Sequence, residues 1–230
     1  MNKGYSIAID GPVAAGKGTI ATALAKKLKG SAIDTGVTYR CIALLCIQNK
    51  LDVNIEKNVV NILHKANIVI DNRKVFLNGR NVTQRIRKED VSNGSSIVGV
   101  YPEVRNELVK KQQLLAKNSI GKGKIVIMEG RDIGTRVLPN AELKIFLTAN
   151  VQVRVKRGLE RYKQKGIIKT LSEVLHEVKE RDYRDSHRKV DPLPLKPDKY
   201  GYWTLDNSSQ TVDETVAAVI KKLKERELVR

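Results

Sequence analysis

Residues 7–19 read IAIDGPVAAGKGT, and this stretch decides the fold. Residues 6–10 form a short apolar run of strand type. A loop bounded by Gly11 and Gly16 follows, and Lys17 heads a helical pattern over 17–29 with apolar residues at Ile20, Ala23, Leu24 and Leu28. Glycines at 11, 16 and 18 let the backbone wrap tightly, so that successive N–H groups converge on phosphate oxygens while the helix N-terminus adds a favourable dipole. Lys17 is then placed to reach the β- and γ-phosphates of a nucleotide. The general pattern has Ser or Thr directly after the lysine, where the hydroxyl ligates magnesium; here Gly18 intervenes before Thr19. Thr19 is better placed to bond a phosphate, and magnesium must lean on water and on an acidic residue elsewhere.

Working outward, residues 31–34 (SAID) read as a second short strand and 38–48 as a helix. Strand, loop and helix in repeated order predict a parallel sheet with crossover helices. Between residues 61 and 99 the grain changes. The runs IVI and KVFL, separated by DNR and followed by NG, predict an antiparallel insertion. The core resumes with a helix over 102–117 and buried strands within KIVIMEG and LKIFLTA. Two charged helical segments, VQVRVKRGLERYKQKG and LSEVLHEVKERDYRDSHR, come next, then the proline-rich loop KVDPLPLKPDKYG, a last strand in WTLDNS and a helix from about residue 212. The expected division is core 1–60, insert 61–99, core 100–150, lid 151–170 and core 171–230.

The 43 Lys and Arg residues against 25 Asp and Glu give a net charge of +18. That favours a polyanionic partner, whether nucleic acid, anionic membrane or phosphorylated small molecule, although a lysine-rich solvated surface gives the same number. Cys41 and Cys46 lie within one apolar helical run, CIALLCI, and read as core thiols of a reducing compartment. The three histidines have no metal-ligand spacing with them. No apolar run approaches the ~20 residues of a membrane helix, and the opening residues carry no signal-peptide pattern, so a cytosolic protein is expected.

Several acidic and basic residues fall at positions suited to anions. Glu129, just past the apolar run IVIM, stands where a carboxylate that helps hold magnesium would sit; an ordinary turn carries the same residue type. DTGVTYR (residues 34–40) and GRDIGTR (130–136) place arginines at loop ends on the C-terminal side of strands, where open α/β sheets bind ligands. In ERDYRDSHR, a helix would gather Arg181, Arg184, Asp185 and Arg188 on one face. The like-charged pair Arg184 and Arg188 is unfavourable there unless an anion lies between them. Arg154, Arg157 and Arg161 share another face and, with Gly158 and Gly166, predict a mobile lid that closes over transferring phosphates.

IDGPVAAGKGT, DTGVTYR, YPEVR, EGRDIGT, KIFLTA and KERDYRDSHR together resemble the bacterial cytidylate kinases, a branch of the nucleoside monophosphate kinases, in order and spacing over nearly the whole chain. The GKGT form of the loop is usual in that family. The resemblance implies an α/β P-loop kinase core with a parallel sheet flanked by helices, an antiparallel monophosphate-binding insert and a small helical lid. It implies transfer of the γ-phosphoryl of ATP to CMP or dCMP with Mg2+, by a monomer with no stable nucleic-acid or membrane partner. ATP would be held by Gly11, Pro12, Val13, Ala14, Ala15, Gly16, Lys17, Gly18, Thr19 and the lid residue Arg157. Arg40, Arg131 and Arg188 would clamp the monophosphate, the last two with Lys17 serving catalysis. Ser96, Arg105 and Asp132 would read cytosine, and Arg181 and Asp185 would lie near the pentose. Thr35 stands where the family commonly has Ser, and Glu129 where it commonly has Asp. Other base preferences (UMP/CMP, AMP or TMP) and a basic nucleic-acid-binding P-loop protein are the alternatives; few aromatics are available to stack bases.

Overall fold

A computed structural model describes residues 4–71 and 74–229. Its contacts divide the chain into two compact units, the first made of residues up to 33 and from 116 onward, the second of residues 34–115.

The first unit is built on five strands: β1 (Ser6–Asp10), β2 (Ser31–Asp34, whose last residue falls in the second unit), β6 (Val126–Glu129), β7 (Leu143–Thr148) and β8 (Trp203–Asp206). Their order is β2-β6-β1-β7-β8, with β1 parallel to both β6 and β7, and β7 parallel to β8. All five residues of β1 are buried, as a central strand covered on both faces requires. Helices α1 (Lys17–Leu28) and α8 (Val212–Glu225) bury Ile20, Leu24, Val219 and Leu223 against Ile7, Ile9, Ile127 and Ile145. Helix α1 stops at Leu28, one residue short of the expected end, because Lys29 adopts left-handed φ 51°.

The charged segments form α6 (Val151–Gln164) and α7 (Leu171–His187), joined through Gly166 at φ 70°. Each starts at a side-chain cap: Asn150 accepts the Val153 N–H, and Thr170 with Glu173 makes a reciprocal capping box. Val155, Val174 and Val178 join Val13 in a small apolar cluster. Gly158, expected to lend the lid mobility, is a packing residue: a Cβ there would lie 2.9 Å from Val174 Cγ1. The proline-rich loop contains one 3-10 turn, Pro197–Tyr200.

In the second unit, α2 (Gly36–Gln48) is apolar on nearly every side and is buried accordingly. It packs with α3 (Glu56–Leu63) and α4 (Glu89–Val98), around Ile42, Leu44, Leu63, Ile86, Val91 and Val98. The antiparallel sheet expected in 61–99 is present as β3 (Ile68–Asp71), β4 (Lys74–Leu77) and β5 (Arg80–Asn81). Asn78 (φ 50°) and Gly79 (φ 78°) form the NG turn between β4 and β5, while the turn expected at DNR includes residues 72 and 73, outside the described ones. Helix α4 had no counterpart in the sequence reading. Helix α5 (Pro102–Gly121) extends four residues beyond the expected end and carries the chain from one unit into the other.

Candidate active site

In the first unit the chain leaves β1 through Gly11, where a Cβ would stand 2.0 Å from the Leu147 carbonyl oxygen; only glycine fits. Ala14 takes left-handed φ 59° within the loop, a conformation that costs an L-residue about 1–2 kcal/mol. Gly16 (φ 93°) turns the chain into α1, whose first turn carries no acidic residue to neutralise its positive end. Lys17 is 5 % exposed. Its Nζ donates to the carbonyls of Gly11 (2.9 Å) and Pro12 (2.8 Å). Burial and then the nearby Arg131 charge push the Lys17 ammonium down to about 7, against the opposing pull of Glu129, Asp185 and Asp10.

Glu129 ends β6 beside the start of α1: its Oε1 lies 3.2 Å from where a Cβ on Gly18 would stand. Among the described residues no cluster of three or more His, Cys, Asp or Glu side chains is placed to hold a metal ion. One carboxylate next to a phosphate loop nevertheless fits magnesium, which commonly keeps its waters and takes one or two carboxylates plus substrate phosphates.

The loop after β6 and the end of α7 converge. Arg131 Nε donates to Asp185 Oδ2 at 2.6 Å. Arg188 lies 3.7 Å from Asp132 and 3.8 Å from Asp185, and its guanidinium also donates to the Asp191 carbonyl. Burial opposes ionisation of Asp185, yet the Arg131, Arg181 and Arg188 guanidiniums hold its carboxyl below the usual range. Burial likewise opposes the charge on Arg131, and Asp185 more than restores it. Arg188 is not on the helical face predicted for it: α7 ends at His187 and Arg188 has extended backbone (φ −64°, ψ 148°), so its side chain reaches Asp132 and the Asp191 carbonyl. Arg181 and Arg184 stay on the last turns of α7.

The three arginines predicted to share a lid face separate. Arg154 pairs with Asp182 of α7 and donates to the Val13 carbonyl (3.1 Å), while Asp182 accepts the Val13 N–H (3.0 Å). Arg157 donates to the Ala15 carbonyl (3.2 Å) and to Asn207. Arg161 is exposed and lies over the Tyr162 ring. Asp182 and Asn207 were missed by sequence reading. The only local signal was Asp182 standing inside the ERDYRDSHR run that was singled out for its neighbours.

The second unit holds the other four predicted residues. Thr35 is buried at the start of α2, and its carbonyl accepts from Thr38, which in turn accepts from Gln112. Arg40 pairs with Asp34 at 2.8 Å. Burial works against the Asp34 charge, but Arg40, Arg87 and the Gly36 N–H hold its carboxyl below the usual range. Arg105 is 1 % exposed, donates to the Gly99 carbonyl (3.0 Å) and lies 5.4 Å from the Tyr39 ring centre. Ser96 sits half-buried on α4.

A family model described as cytidylate kinase matches residues 7–225. Cytidylate kinases from Caldanaerobacter subterraneus subsp. tengcongensis and Bacillus subtilis are 43% and 40% identical to this chain. The first match covers 96% of this chain and 97% of its relative, the second 98% and 99%. The fold also matches a crystal structure of an uncharacterised protein from Eubacterium ventriosum. That match has a TM-score of 0.55 and 14% identity, over 97% of this chain and 99% of the other.

Proposed function

The chain belongs to the cytidylate kinase family, and from that membership we propose that it transfers the γ-phosphoryl group of ATP to CMP or dCMP, giving ADP and CDP or dCDP. The observation that carries this reading is the cluster of Lys17, Arg131, Asp185 and Arg188 beside the glycine loop of the first unit. Phosphoryl transfer asks little covalent chemistry of a protein; it asks for positioning and for charge where the transferring oxygens become more negative.

The loop from Gly11 to Thr19 binds the ATP phosphates through its N–H groups, with Lys17 exchanging its carbonyl partners for phosphate oxygens. Arg131 and Arg188 clamp the acceptor phosphate, and Asp185 holds Arg131 in position before substrate arrives. Arg157, tied to the Ala15 carbonyl, contributes a positive charge on the lid side of the ATP site. In this reading Thr35 and Arg40 serve acceptor binding, Ser96, Arg105 and Asp132 serve cytosine recognition, and Arg181 and Asp185 serve the pentose. Glu129 would hold magnesium through water, and the metal would supply neutralisation of phosphate charge. A monomer working in the cytosol is part of the proposal, and the free, buried thiols of Cys41 and Cys46 fit a reducing compartment.

Cytosine presents an exocyclic amine where uracil presents a carbonyl, so the Asp132 carboxylate accepts a hydrogen bond from one base and meets an acceptor in the other. The test is ATP consumption with CMP, dCMP, UMP, AMP and TMP in turn. CMP and dCMP are expected to turn over fastest, and faster turnover of AMP or TMP overturns the assignment. Asp132→Ala should raise KM for CMP by about 10-fold or more and leave KM for ATP unchanged. Equal loss for both substrates would remove Asp132 from base reading.

A further inference from the structure

Asp10 ends β1 and is immediately followed by Gly11 of the phosphate loop, and it is wholly buried. Its carboxylate accepts three hydrogen bonds: from the Ile133 N–H (2.9 Å), from the Gly134 N–H (2.8 Å) and from the Tyr202 hydroxyl (2.6 Å). Ile133 and Gly134 open a π-type turn, Ile133–Val137, in which the Val137 N–H reaches back to the Asp132 carbonyl. Such turns are rare and frequently mark functional sites.

The two residues ahead of that turn are Arg131 and Asp132. Regular pairing of β1 with β6 ends at Ile9 and Glu129, with one more backbone bond from the Gly130 N–H to the Ile9 carbonyl. Past that point, Asp10 supplies the next tie between β1 and this loop. Arg131 and Asp132 are therefore bracketed by a backbone anchor on one side and the Asp10 carboxylate on the other. Tyr202 completes the anchor through close packing: a Cβ on Gly134 would stand 2.8 Å from the Tyr202 hydroxyl oxygen. An apolar side chain at this position would leave two buried backbone N–H groups without an acceptor, so the carboxylate satisfies this loop. What it adds is a fixed geometry for the groups it accepts from.

We propose that Asp10, braced by Tyr202, is a positioning residue that holds Arg131 and Asp132 in register with the phosphate loop, so that acceptor recognition is aligned with the bound ATP phosphates. The proposal rests on the acceptor-binding role given above to Arg131 and Asp132. In Asp10→Asn, one amide N–H would face groups that are themselves donors, and the loop loses an anchor. Tyr202→Phe removes one donor and leaves the two backbone bonds.

The test compares Asp10→Asn, Tyr202→Phe, Asp132→Ala and the Asp10→Asn/Asp132→Ala double variant with the parent enzyme. KM for CMP, KM for ATP, the CMP/UMP ratio of kcat/KM and amide exchange at Ile133 and Gly134 are read in each. Asp10→Asn is expected to raise KM for CMP about 10-fold, narrow the CMP/UMP ratio and speed exchange at both amides, with KM for ATP within about twofold of the parent. Tyr202→Phe should show the same pattern more weakly. The double variant should be no less selective than Asp132→Ala alone, because the two residues act through one group. An unchanged KM for CMP and CMP/UMP ratio in a folded Asp10→Asn, or parallel rises in KM for CMP and ATP, overturns the proposal. If Asp10→Asn does not fold, Tyr202→Phe with parental KM and ratio overturns it. Failure of the acceptor assignment itself appears in the parent enzyme, as a different preferred monophosphate, and is thereby told apart.

Discussion

Lys17 is held out of water on two loop carbonyls, with Arg131 as a like-charged neighbour, and this placement sets its acid–base behaviour. Burial first, and Arg131 second, lower it from 10.5 to about 7 in the folded chain. Between those values the unfolded chain binds the extra proton, so this group makes stability rise with pH from about 7 to 10.5 and disfavours the fold below. Polyphosphate reverses the balance by favouring the charged form. ATP binding at pH 8 is therefore expected to take up close to one proton. Calorimetric binding enthalpies should then vary with the ionisation enthalpy of the buffer at pH 8, much less so at pH 6, and not at all in Lys17→Met; a buffer-independent enthalpy at pH 8 would contradict this. The lysine was legible in the sequence because glycines and a strand-to-helix junction surround it locally. Its lowered proton affinity was not, since it comes from burial in the folded chain and from Arg131, which a distant segment supplies.

At the scale of elements, α6 and α7 both hold the backbone of Val13 in the phosphate loop, and Arg157 of α6 adds a bond to the Ala15 carbonyl. Arg154 takes the Val13 carbonyl, Asp182 takes the Val13 N–H, and the two side chains pair with each other. Asp182→Ala leaves both the N–H and the Arg154 guanidinium short of a partner. We expect a loss of about 2–3 kcal/mol in denaturant unfolding and a larger rise in KM for ATP than for CMP; a stability change below about 0.5 kcal/mol would show that water replaces the carboxylate freely. The periodicity of both helices and their capping residues lies in nearby sequence, so their existence was readable. The division among Arg154, Arg157 and Arg161 was not, because it depends on Asp182, 28 residues from Arg154, and on Asn207, 50 residues from Arg157. Helix α4 escaped notice because its sequence, EDVSNGSSIV, is rich in turn-forming residues, and burial of Val91 and Val98 against α2 overrides that local preference.

For the whole molecule, a net charge of +18 draws anionic nucleotides from a distance as well as at contact. Raising salt from about 0.1 M to 1 M shortens the screening length from ~10 Å to ~3 Å, and kcat/KM for ATP should fall by about 10-fold while kcat at saturation changes far less. A flat kcat/KM would mean that the surplus lysines play no part in capture. Among the described residues no helix is long and apolar enough to cross a membrane. By itself the sequence determined the parallel α/β order, the phosphate loop, the antiparallel strands of residues 61–99 and the family, because each is written in residues adjacent along the chain and set by period, glycine spacing and turn chemistry. Tertiary structure alone decided which charges are engaged with one another. Asp10 meets Gly134 and Tyr202 across 124 and 192 residues, Arg131 meets Asp185 across 54, and Arg188 leaves its helix to reach Asp132. Such pairings follow from the order of strands in the sheet and the burial it imposes, and in a low-dielectric interior each buried charge must find the partner that the packing brings to it.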